Sequence, residues 1–432
     1  MRKNLFWLYD KLKGGKIKAN VLQIKGIVEN NSSTDRNKEI ERSLDQLIEH
    51  ATSSCEFYRK FNETTDITDF PVINKSIVRK NSDSFISDVF NKTQLTKVVT
   101  SGSTGTPFQV FHNRDKRIRN SADTIYFAHK AGFDIGDKLF YLKIWSASNQ
   151  KSKLTALIQN VVPFDVLRFN DKEIERFISM LKKKGRKGIL GYASALEQVC
   201  KYLDRNPERV NNKIKVHSAI SMSESLSDYT KEYFKKYFNV DLYARYSNLE
   251  NGILAQQFKG SGNSYQINTA SYYMEVLKMD SDEPADAGEM GRIVITDLYN
   301  YGMPMLRYDT GDIGMFAVTE NGEIDNTILK HVEGRKLDLL FDTKGELVSS
   351  FIMYKNMWKY TEILQYQIIQ SGRKEYIFKI NVDGDFKREA ELVREFKSYL
   401  GEDADFKVEY VSEIPLLSSG KRKKIVNTYY NK

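Results

Sequence analysis

The sequence has only two cysteines among its 432 residues and contains no long apolar run. Cys55 and Cys200 lie far apart and match no metal-binding or disulfide spacing, which predicts buried thiols in a reducing compartment. No apolar segment approaches the roughly 20 residues that a membrane-spanning helix requires. The N-terminus, MRKNLFWLYDKLKGGK, lacks the apolar core and cleavage site of a signal peptide. These absences predict a cytoplasmic location.

Motifs for nucleic-acid binding are also missing, although the formal net charge is +9. The sequence has no zinc-finger spacing, no basic region followed by heptads and no aromatic RNA-binding strand. Its cations are dispersed among acidic residues, except in Lys182–Lys184 and in the C-terminal GKRKK run. The charge therefore favours phosphorylated small molecules or an anionic membrane surface over nucleic acid.

The N-terminal segment leaves two interpretations open. Leu5, Leu8, Tyr9 and Leu12 recur at helical spacing with lysines around them. Such a helix can lie on the inner face of the membrane, giving a weak peripheral association. The favoured alternative is a short helix docked on its own domain.

A chain of this length predicts two or three domains. Strand patterns alternate with helical stripes through most of the sequence, which is typical of layered α/β folds with partly parallel sheets. From Gly288 the pattern changes to strands and turns, and after about Arg335 it predicts a small α+β module. We therefore predict an α/β fold, with a large N-terminal domain over 1–334 that includes a β-rich part and a mobile C-terminal α+β domain over 335–432.

The segment Thr100–Pro107, TSGSTGTP, is the most informative stretch of the chain. Apolar residues precede it and an alternating segment follows, so it is predicted to be a loop between two strands. Glycines let the backbone approach a ligand closely, and successive N–H groups with Ser and Thr hydroxyls suit phosphate oxygens. A mobile Ser/Gly linker is the open alternative.

Four further segments follow in a fixed order: YARYSNLENGILAQ at 243–256, RYDTGD at 307–312, EGRKLD at 333–338 and SSGK at 418–421. Each has a structural alternative: a capped helix start, a polar hairpin turn, a surface arginine and a solvated lysine. Together they form an inventory for nucleotide chemistry. The Glu250 carboxylate suits Mg²⁺, and Asp312 offers acceptors for ribose hydroxyls. Arg335 and Lys421 supply cations for developing phosphate charge.

The order and spacing of these five segments resemble the adenylate-forming superfamily of acyl-CoA synthetases (acyl-CoA ligases), adenylation domains and luciferases. The length, and a missing lysine after the loop proline, resemble its phenylacetate-CoA ligase branch. YSNLENGILAQQ is similar to the CapK-type capsular polysaccharide biosynthesis proteins of that branch. The resemblance implies an AMP-forming ligase with an adenylation domain over 1–334. It covers about three quarters of the chain.

The resemblance also implies roles, position by position. The loop residues would hold the β- and γ-phosphates of ATP: Ser101, Gly102, Ser103, Thr104 and Gly105. Ser223 and Glu224 would line the adenine, and Tyr246 would stack on it. Glu250 would hold Mg²⁺. Asp312 would bind the ribose with the help of Arg335, and Lys421 would reach the carboxylate and the α-phosphate.

Two positions depart from the family pattern. Leu249 replaces the Thr or Ser that usually contacts the α-phosphate, a contact that Ser247 could supply instead. Leu337 replaces the usual hinge aspartate, and Asp338 follows it. Domain rotation is therefore less strongly implied than adenylation.

The reaction implied is ATP-dependent activation of a carboxylic acid as an acyl adenylate, with pyrophosphate release. The acyl group would then pass to coenzyme A, or to an amine or hydroxyl in polysaccharide biosynthesis. No Ser-His-Asp or Cys-His arrangement is identifiable, and this chemistry needs no enzyme nucleophile. Trp145, Tyr192 and His217 are candidates for the acyl pocket. The alternatives are a degenerate relative that binds nucleotide without turnover and a membrane-peripheral scaffold that uses Phe6 and Trp7.

Overall fold

The computed structural model describes residues 2–30, 32–100, 108–145, 150–210, 214–333, 340–348, 357–360, 362–382, 384–415 and 423–429. The chain divides into two compact units. The first comprises Met1–Ser223 and Phe234–Val332, and the second comprises Glu224–Tyr233 and Glu333–Lys432. The domain boundary predicted between 334 and 335 falls outside the described residues.

The helices of the described residues lie mostly in the first 240 positions. They are α1 (Arg2–Leu12), α2 (Lys16–Val28), α3 (Ser33–Ser54), α4 (Lys75–Lys80), α5 (Arg114–Lys130), α6 (Lys153–Ile158), α7 (Asp171–Leu181), α8 (Ala193–Arg205), α9 (Asp228–Phe238) and α10 (Glu389–Leu400). Within these ranges no helix is long and apolar enough to span a membrane.

The strands of the first unit begin with a hairpin and continue into one large sheet. They are β1 (Thr96–Thr100), β2 (Phe108–His112), β3 (Lys138–Lys143), β4 (Val161–Asp165), β5 (Lys187–Tyr192), β6 (Ser218–Met222), β7 (Leu242–Asn248), β8 (Gly252–Gln256), β9 (Tyr265–Ile267), β10 (Tyr272–Leu277), β11 (Gly291–Asp297), β12 (Tyr308–Val318) and β13 (Ile324–Glu333).

The described residues form an eleven-stranded sheet in the order β10-β11-β12-β13-β9-β8-β7-β6-β5-β3-β4. Strands β4, β3, β5, β6 and β7 pair in parallel, and β7 pairs with β8 antiparallel. Parallel strands need crossover connections, and α7 and α8 supply two of them. The α/β fold predicted from the sequence is confirmed.

Helices pack on both faces of the large sheet. On one face, Phe177 of α7 packs edge-on against Phe140 of β3, with ring centroids 5.7 Å apart. On the other face, Gln256 of β8 donates a hydrogen bond to the Phe127 carbonyl of α5 at 2.7 Å. Helix α7 shows how the sequence encodes this layering. Asn170 caps its first turn by accepting from the Glu173 N–H, and its apolar stripe is buried.

The antiparallel half has its own core. Helix α3 packs its stripe of Leu44, Leu47 and Ile48 into a cluster that includes buried residues of strands β10, β11 and β12. Burial of apolar surface contributes roughly 25 cal/mol per Å² and holds these elements together.

The second unit contains a separate core. Its strands are β14 (Leu340–Phe341), β15 (Leu347–Val348), β16 (Ile363–Gln370), β17 (Glu375–Val382), β18 (Asp405–Tyr410) and β19 (Ile425–Asn427). Among its described residues, four strands form a sheet in the order β18-β17-β16-β19. Phe396 of α10 packs edge-on against Phe378 at 4.8 Å. This is the α+β pattern expected for the C-terminal part.

Helix α5 carries buried charges into the antiparallel half. Lys116 forms an ion pair with Asp297 at the end of β11, with Nζ and Oδ2 2.5 Å apart and both side chains fully buried. Its Nζ also donates to the Tyr272 hydroxyl at 3.0 Å. Separating this buried ion pair would leave a charge in the interior without a counter-ion, which is strongly unfavourable. The contact therefore fixes the position of α5.

We expect Asp297→Asn to destabilise the first unit by about 3–5 kcal/mol, because it leaves the Lys116 ammonium buried without a counter-ion. Urea unfolding measures this loss. Asp83→Asn is the matched control, since the Lys92–Asp83 side chains are 54% and 85% exposed. It should change the free energy of unfolding by less than about 1 kcal/mol. Equal losses in the two variants would contradict the role given to the buried pair.

Candidate active site

The candidate site lies where β7 and β12 approach each other. The Tyr246 hydroxyl on β7 donates a hydrogen bond to Asp312 Oδ2 on β12 at 2.9 Å. It also lies 3.3 Å from the Thr310 hydroxyl oxygen. Strands β8, β9 and β13 separate β7 from β12 in the sheet order, so the antiparallel half must curl to bring these side chains together. Two sequence motifs more than sixty residues apart thus share one site.

A local turn in β12 presents Asp312 to Tyr246. Gly311 adopts a left-handed φ of 81°, which glycine tolerates at no steric cost. The Asp309 carboxylate accepts from the Gly311 N–H at 2.8 Å. The Thr310 hydroxyl oxygen accepts from the Asp312 N–H at 3.1 Å. The sequence Asp-Thr-Gly-Asp at 309–312 therefore shapes the backbone of this segment and also supplies the Asp312 carboxylate.

Glu250 occupies the turn between β7 and β8, where its side chain is 4% exposed. Three segments hold it. Lys75 Nζ lies 2.8 Å from Oε1, and the Tyr308 hydroxyl donates to the same oxygen at 3.0 Å. His112 Nε2 donates to the Glu250 carbonyl at 2.7 Å. Among the described residues, Oε2 has no hydrogen-bond or ion-pair partner.

Lys75 is the counter-ion of this buried carboxylate. It begins α4, whose first turn is capped by the Asn74 side chain, which accepts from the Ser76 and Ile77 N–H groups. Its side chain is 32% exposed, so the ammonium reaches both solvent and the carboxylate. A buried carboxylate without such a partner would carry a large desolvation cost.

The ends of the glycine-rich loop are fixed beside Glu250. Thr100 at the end of β1 pairs with Phe108 at the start of β2. The Phe108 ring stacks parallel to the Tyr308 ring at 6.2 Å, and Lys75 Nζ lies 5.7 Å from the Phe108 centroid. The loop residues themselves, Ser101, Gly102, Ser103, Thr104 and Gly105, lie outside the described residues.

Burial keeps the hydroxyl and imidazole groups of the site neutral. Burial raises the pKa of Tyr246 well above its usual value, and the Asp312 carboxylate adds to the shift. Burial and the Glu250 carboxylate raise the pKa of Tyr308 in the same way. Burial and the Lys116 charge lower the pKa of His112. All three side chains therefore act as neutral hydrogen-bond donors near neutral pH.

The remaining predicted residues are placed as follows. Ser247 lies on β7 next to Tyr246 and pairs with Ile253 of β8. Ser223 follows β6 with a left-handed φ of 70°. Glu224 opens a segment that belongs to the second unit. Arg335 and Lys421 lie outside the described residues.

Two of the acyl-pocket candidates lie at the carboxyl ends of the parallel strands. The Trp145 ring packs edge-on against Tyr141 of β3 at 5.3 Å, and Tyr192 ends β5. His217 lies at the opposite, amino end of β6, where its N–H donates to the Lys187 carbonyl at 2.9 Å. Its distance from the carboxyl ends removes it from the pocket.

Sequence reasoning missed three residues that hold Glu250. Tyr308 lies inside RYDTGD and could have been suspected as an aromatic within a motif. Lys75 and His112 carry no local signal, because only the fold brings them to Glu250. Arg307, the first residue of RYDTGD, is structural: its guanidinium pairs with Glu275 at 2.9 Å.

No metal centre formed by protein side chains alone is found in the ranges that the structure describes, since no three His, Cys, Asp or Glu residues cluster there. A single carboxylate fits Mg²⁺ only when phosphate oxygens and water complete the shell, which is the usual arrangement for nucleotide-bound magnesium. Glu250, with its Oε2 unpartnered, meets that requirement.

Comparison with known proteins supplies a context for this geometry. Residues 340–428 match the CapK C-terminal domain family. Protein CapK of Staphylococcus aureus is 23% identical over 84% of this chain and 80% of its own length. A 2-hydroxyisobutyryl-CoA ligase in the postadenylation state, in complex with R3-HIB-AMP, superposes with a TM-score of 0.70 at 16% identity, covering 92% of this chain and 91% of that one. ATP-bound MatB from Rhodopseudomonas palustris gives 0.54 at 16% identity, over 78% and 68%.

We expect the free energy of unfolding to fall as the pH rises above 10. The hydroxyls of Tyr246 and Tyr308 stay protonated in the fold and ionise in the unfolded chain, where tyrosine titrates near pH 10. Their contribution is complete below that pH and decreases above it by about 1.4 kcal/mol per pH unit for each group. Urea unfolding at pH 8 to 11 measures the slope.

Tyr308→Phe should make this slope less steep by about 1.4 kcal/mol per pH unit, which is the contribution of one tyrosine. Tyr9→Phe is the control, because Tyr9 is 61% exposed and meets the same solvent in both states. An unchanged slope in Tyr308→Phe would contradict the burial argument.

Proposed function

We propose that this protein is an enzyme that uses ATP to activate a carboxylic acid as an acyl adenylate. Its match to the CapK C-terminal domain family and its adenylate-forming ligase fold support this proposal. The observation that carries the proposal is the meeting of Tyr246, Glu250, Tyr308 and Asp312 in one site.

The nucleoside would bind at the Tyr246–Asp312 pair. The Asp312 carboxylate offers acceptors for two ribose hydroxyls, and the Tyr246 hydroxyl fixes that carboxylate through the 2.9 Å bond. The Tyr246 ring supplies an aromatic face for adenine. Ser223 follows the neighbouring strand β6, which supports the adenine-lining role proposed for it.

The phosphates would lie between the 101–105 loop and Glu250. The ends of that loop are anchored beside Glu250 by the Phe108–Tyr308 stack. Glu250 would hold Mg²⁺, which neutralises phosphate charge when bound. Lys75, already paired with Glu250, is close enough to add a second positive charge at this place.

In the first half-reaction, an oxygen of the substrate carboxylate attacks the α-phosphorus of ATP. The new oxygen–phosphorus bond makes a mixed acyl–phosphate anhydride, and the bond from the α-phosphorus to the bridging oxygen breaks, so that pyrophosphate leaves with the electron pair. We propose that Lys421 and Arg335 stabilise the charge that develops on the phosphate and the carboxylate, as cations aimed at a transition state do elsewhere. Ser247 is the nearest substitute for the hydroxyl that Leu249 lacks.

In the second half-reaction, the acyl group would pass to a thiol, amine or hydroxyl, and coenzyme A is one such acceptor. We further propose that the protein is a ligase of the phenylacetate-CoA ligase-like subtype. We also propose that it acts in capsular polysaccharide biosynthesis and that it is located in the cytoplasm. The C-terminal domain, residues 335–432, would reorient between the halves about the segment that contains Leu337 and Asp338.

A nucleotide-binding relative without turnover is the competing function. Leu249, which is 65% exposed in the β7–β8 turn, is the observation that favours it, because the family's α-phosphate hydroxyl is missing there. The intact Glu250 and Asp312 contacts favour the enzyme.

We expect wild-type protein to exchange radiolabelled pyrophosphate into ATP when supplied with its acid, over a panel of aromatic, aliphatic, amino and sugar acids. Lys421→Ala should lower the rate about 100- to 1,000-fold, as loss of one charge-stabilising donor does in other enzymes. Lys423→Ala, in the same basic run, is the matched control and should retain the rate. An undiminished rate in Lys421→Ala would disprove its assigned role.

We also propose that the protein associates weakly with an anionic membrane surface. The exposed apolar residues of α1 lie beside those of α6, because Arg2 donates to the Leu157 and Ile158 carbonyls at 2.6 and 2.9 Å. The exposed side chains of this α1–α6 surface are Leu5, Leu8, Tyr9, Leu12, Leu154, Leu157 and Ile158.

The charge around the α1–α6 surface supports an anionic membrane as the partner that binds there. Residues 2–18 and 150–158 contain eight lysines and arginines, and the single acid among them, Asp10, is buried. Asp10 accepts from the Ile17 and Lys18 N–H groups of α2 and so faces inward. Apolar side chains ringed by lysines are the pattern of helices that lie on anionic lipid.

We expect wild-type protein to float with vesicles that contain phosphatidylglycerol and to remain behind with vesicles of phosphatidylcholine alone. Leu8→Glu with Leu157→Glu should abolish flotation. Val89→Glu, at a site that is 67% exposed elsewhere on the first unit, should not. Equal flotation of the three proteins would disprove the proposal.

A further inference from the structure

Arg245 is a buried cation that no described residue neutralises. It precedes Tyr246 on β7 and is 8% exposed. Its Nε donates to the Gln256 side-chain oxygen at 2.8 Å, while its NH2 group is buried without a hydrogen-bond partner. No Asp or Glu among the described residues forms an ion pair with it. An arginine in this state is costly unless an anion joins it.

The strand register places Arg245 in a row of side chains that points to one face. Met222 of β6 pairs with Arg245, and Tyr192 of β5 pairs with Met222. Tyr192 and Met222 end their strands, and Arg245 lies three residues before the end of β7. Ligands of open α/β sheets bind outside these carboxyl ends. The Tyr141 hydroxyl reaches the Met222 sulfur at 3.9 Å, so the same face carries the predicted acyl pocket.

A second cation borders this face. Lys143 ends β3 and lies with its Nζ 4.4 Å from the Trp145 ring and 5.2 Å from the Tyr141 ring. It forms no ion pair with the residues that the structure describes. The described side chains here are thus two cations, aromatic rings and the Asp165 carboxylate, which accepts from the Trp145 N–H at 3.5 Å and forms no ion pair with either cation.

The Arg245 guanidinium is also held in a fixed orientation. Gln256, which accepts from Arg245, donates its own amide to the Phe127 carbonyl of α5 at 2.7 Å. Its orientation is therefore fixed by a neighbouring element. Burial lowers the pKa of Arg245 to about 10, which still leaves it charged at neutral pH. A charged, oriented group with an unused N–H set is suited to a carboxylate.

We propose that Arg245 binds a carboxylate at the far end of the acyl substrate, so that the acid activated here is a dicarboxylic acid or another acid with a second anionic group. This inference rests on the proposed function, since the other carboxylate is the one that would be adenylated. The substrate class follows from charge, because the buried Arg245 guanidinium forms no ion pair with any described carboxylate and keeps an unpartnered NH2 group.

The test compares acids of matched length. Straight-chain dicarboxylic acids of three to six carbons are paired with monocarboxylic acids of equal length in pyrophosphate exchange. Wild type should prefer the diacid. Arg245→Met should lower kcat/KM for the diacid at least about 100-fold and leave the monoacid within about threefold, with the KM for ATP unchanged. Arg245→Lys should restore part of the activity.

Binding is measured separately by the thermal shift that each diacid produces without ATP, with Arg176→Met as a surface-arginine control. Exchange with monoacids alone, equal in wild type and Arg245→Met, would overturn this inference and leave the proposed function standing. A diacid shift that is lost in Arg245→Met, without exchange for any acid, would support the binding site and overturn adenylation. Neither exchange nor shift would overturn both.

Discussion

Two buried cations of α5 determine how the antiparallel half of the sheet is positioned. Lys116 pairs with Asp297 of β11 without solvent, and Arg119 donates to Ser271 at 2.7 Å and to the Ala270 carbonyl at 2.5 Å. Apolar packing does not specify direction, whereas these bonds do. A helix tied by charges at two successive turns can neither slide nor rotate on the sheet.

The fixed position of α5 also determines the position of the candidate site. The Tyr272 hydroxyl accepts from Lys116 and donates to the Asn251 carbonyl at 2.7 Å, and Asn251 follows Glu250. His112, two residues before α5, donates to the Glu250 carbonyl. The turn that carries Glu250 is thus fixed from both sides by the segment around α5. A carboxylate held this way needs no reorganisation when a charged ligand arrives, which is where electrostatic catalysis gains its advantage.

The sequence predicted the elements with strong periodicity and failed where only tertiary contacts decide. The stripe of Ile174, Phe177, Ile178 and Leu181 follows a 3.6-residue repeat, which indicates a helix with one buried face, and α7 is that helix. The alternating apolar residues of Glu375–Val382 indicate a strand, and β17 is that strand. The alternative of a capped helix start at Tyr246–Glu250 is wrong, because strand pairing with β8 overrides the local capping residues.

The motifs located Tyr246, Glu250 and Asp312, but they carried no information about Lys75 or Arg245. An isolated lysine 175 positions before its carboxylate has no pattern to reveal it. The charge of Arg245 could be read from the sequence, whereas its burial and its missing counter-ion could not. Motifs therefore indicate side chains that a local pattern marks, and the fold identifies side chains that only tertiary contacts bring to the site.

The Lys75–Glu250 pair reconciles the unusual turn with the proposed chemistry. Under the proposed function, Leu249 would leave out one hydrogen-bond donor to the α-phosphate, whereas Lys75 places a cation 2.8 Å from Glu250, the next residue in the turn. Lys75 binds Oε1 and leaves Oε2 open, so a metal ion at Oε2 would not have to displace it. With 32% of its side chain exposed, Lys75 can turn toward phosphate at little cost in desolvation. In the proposed reaction, Lys75 would neutralise Glu250 before the nucleotide arrives and face the phosphates afterwards, which would offset the hydroxyl that Leu249 lacks.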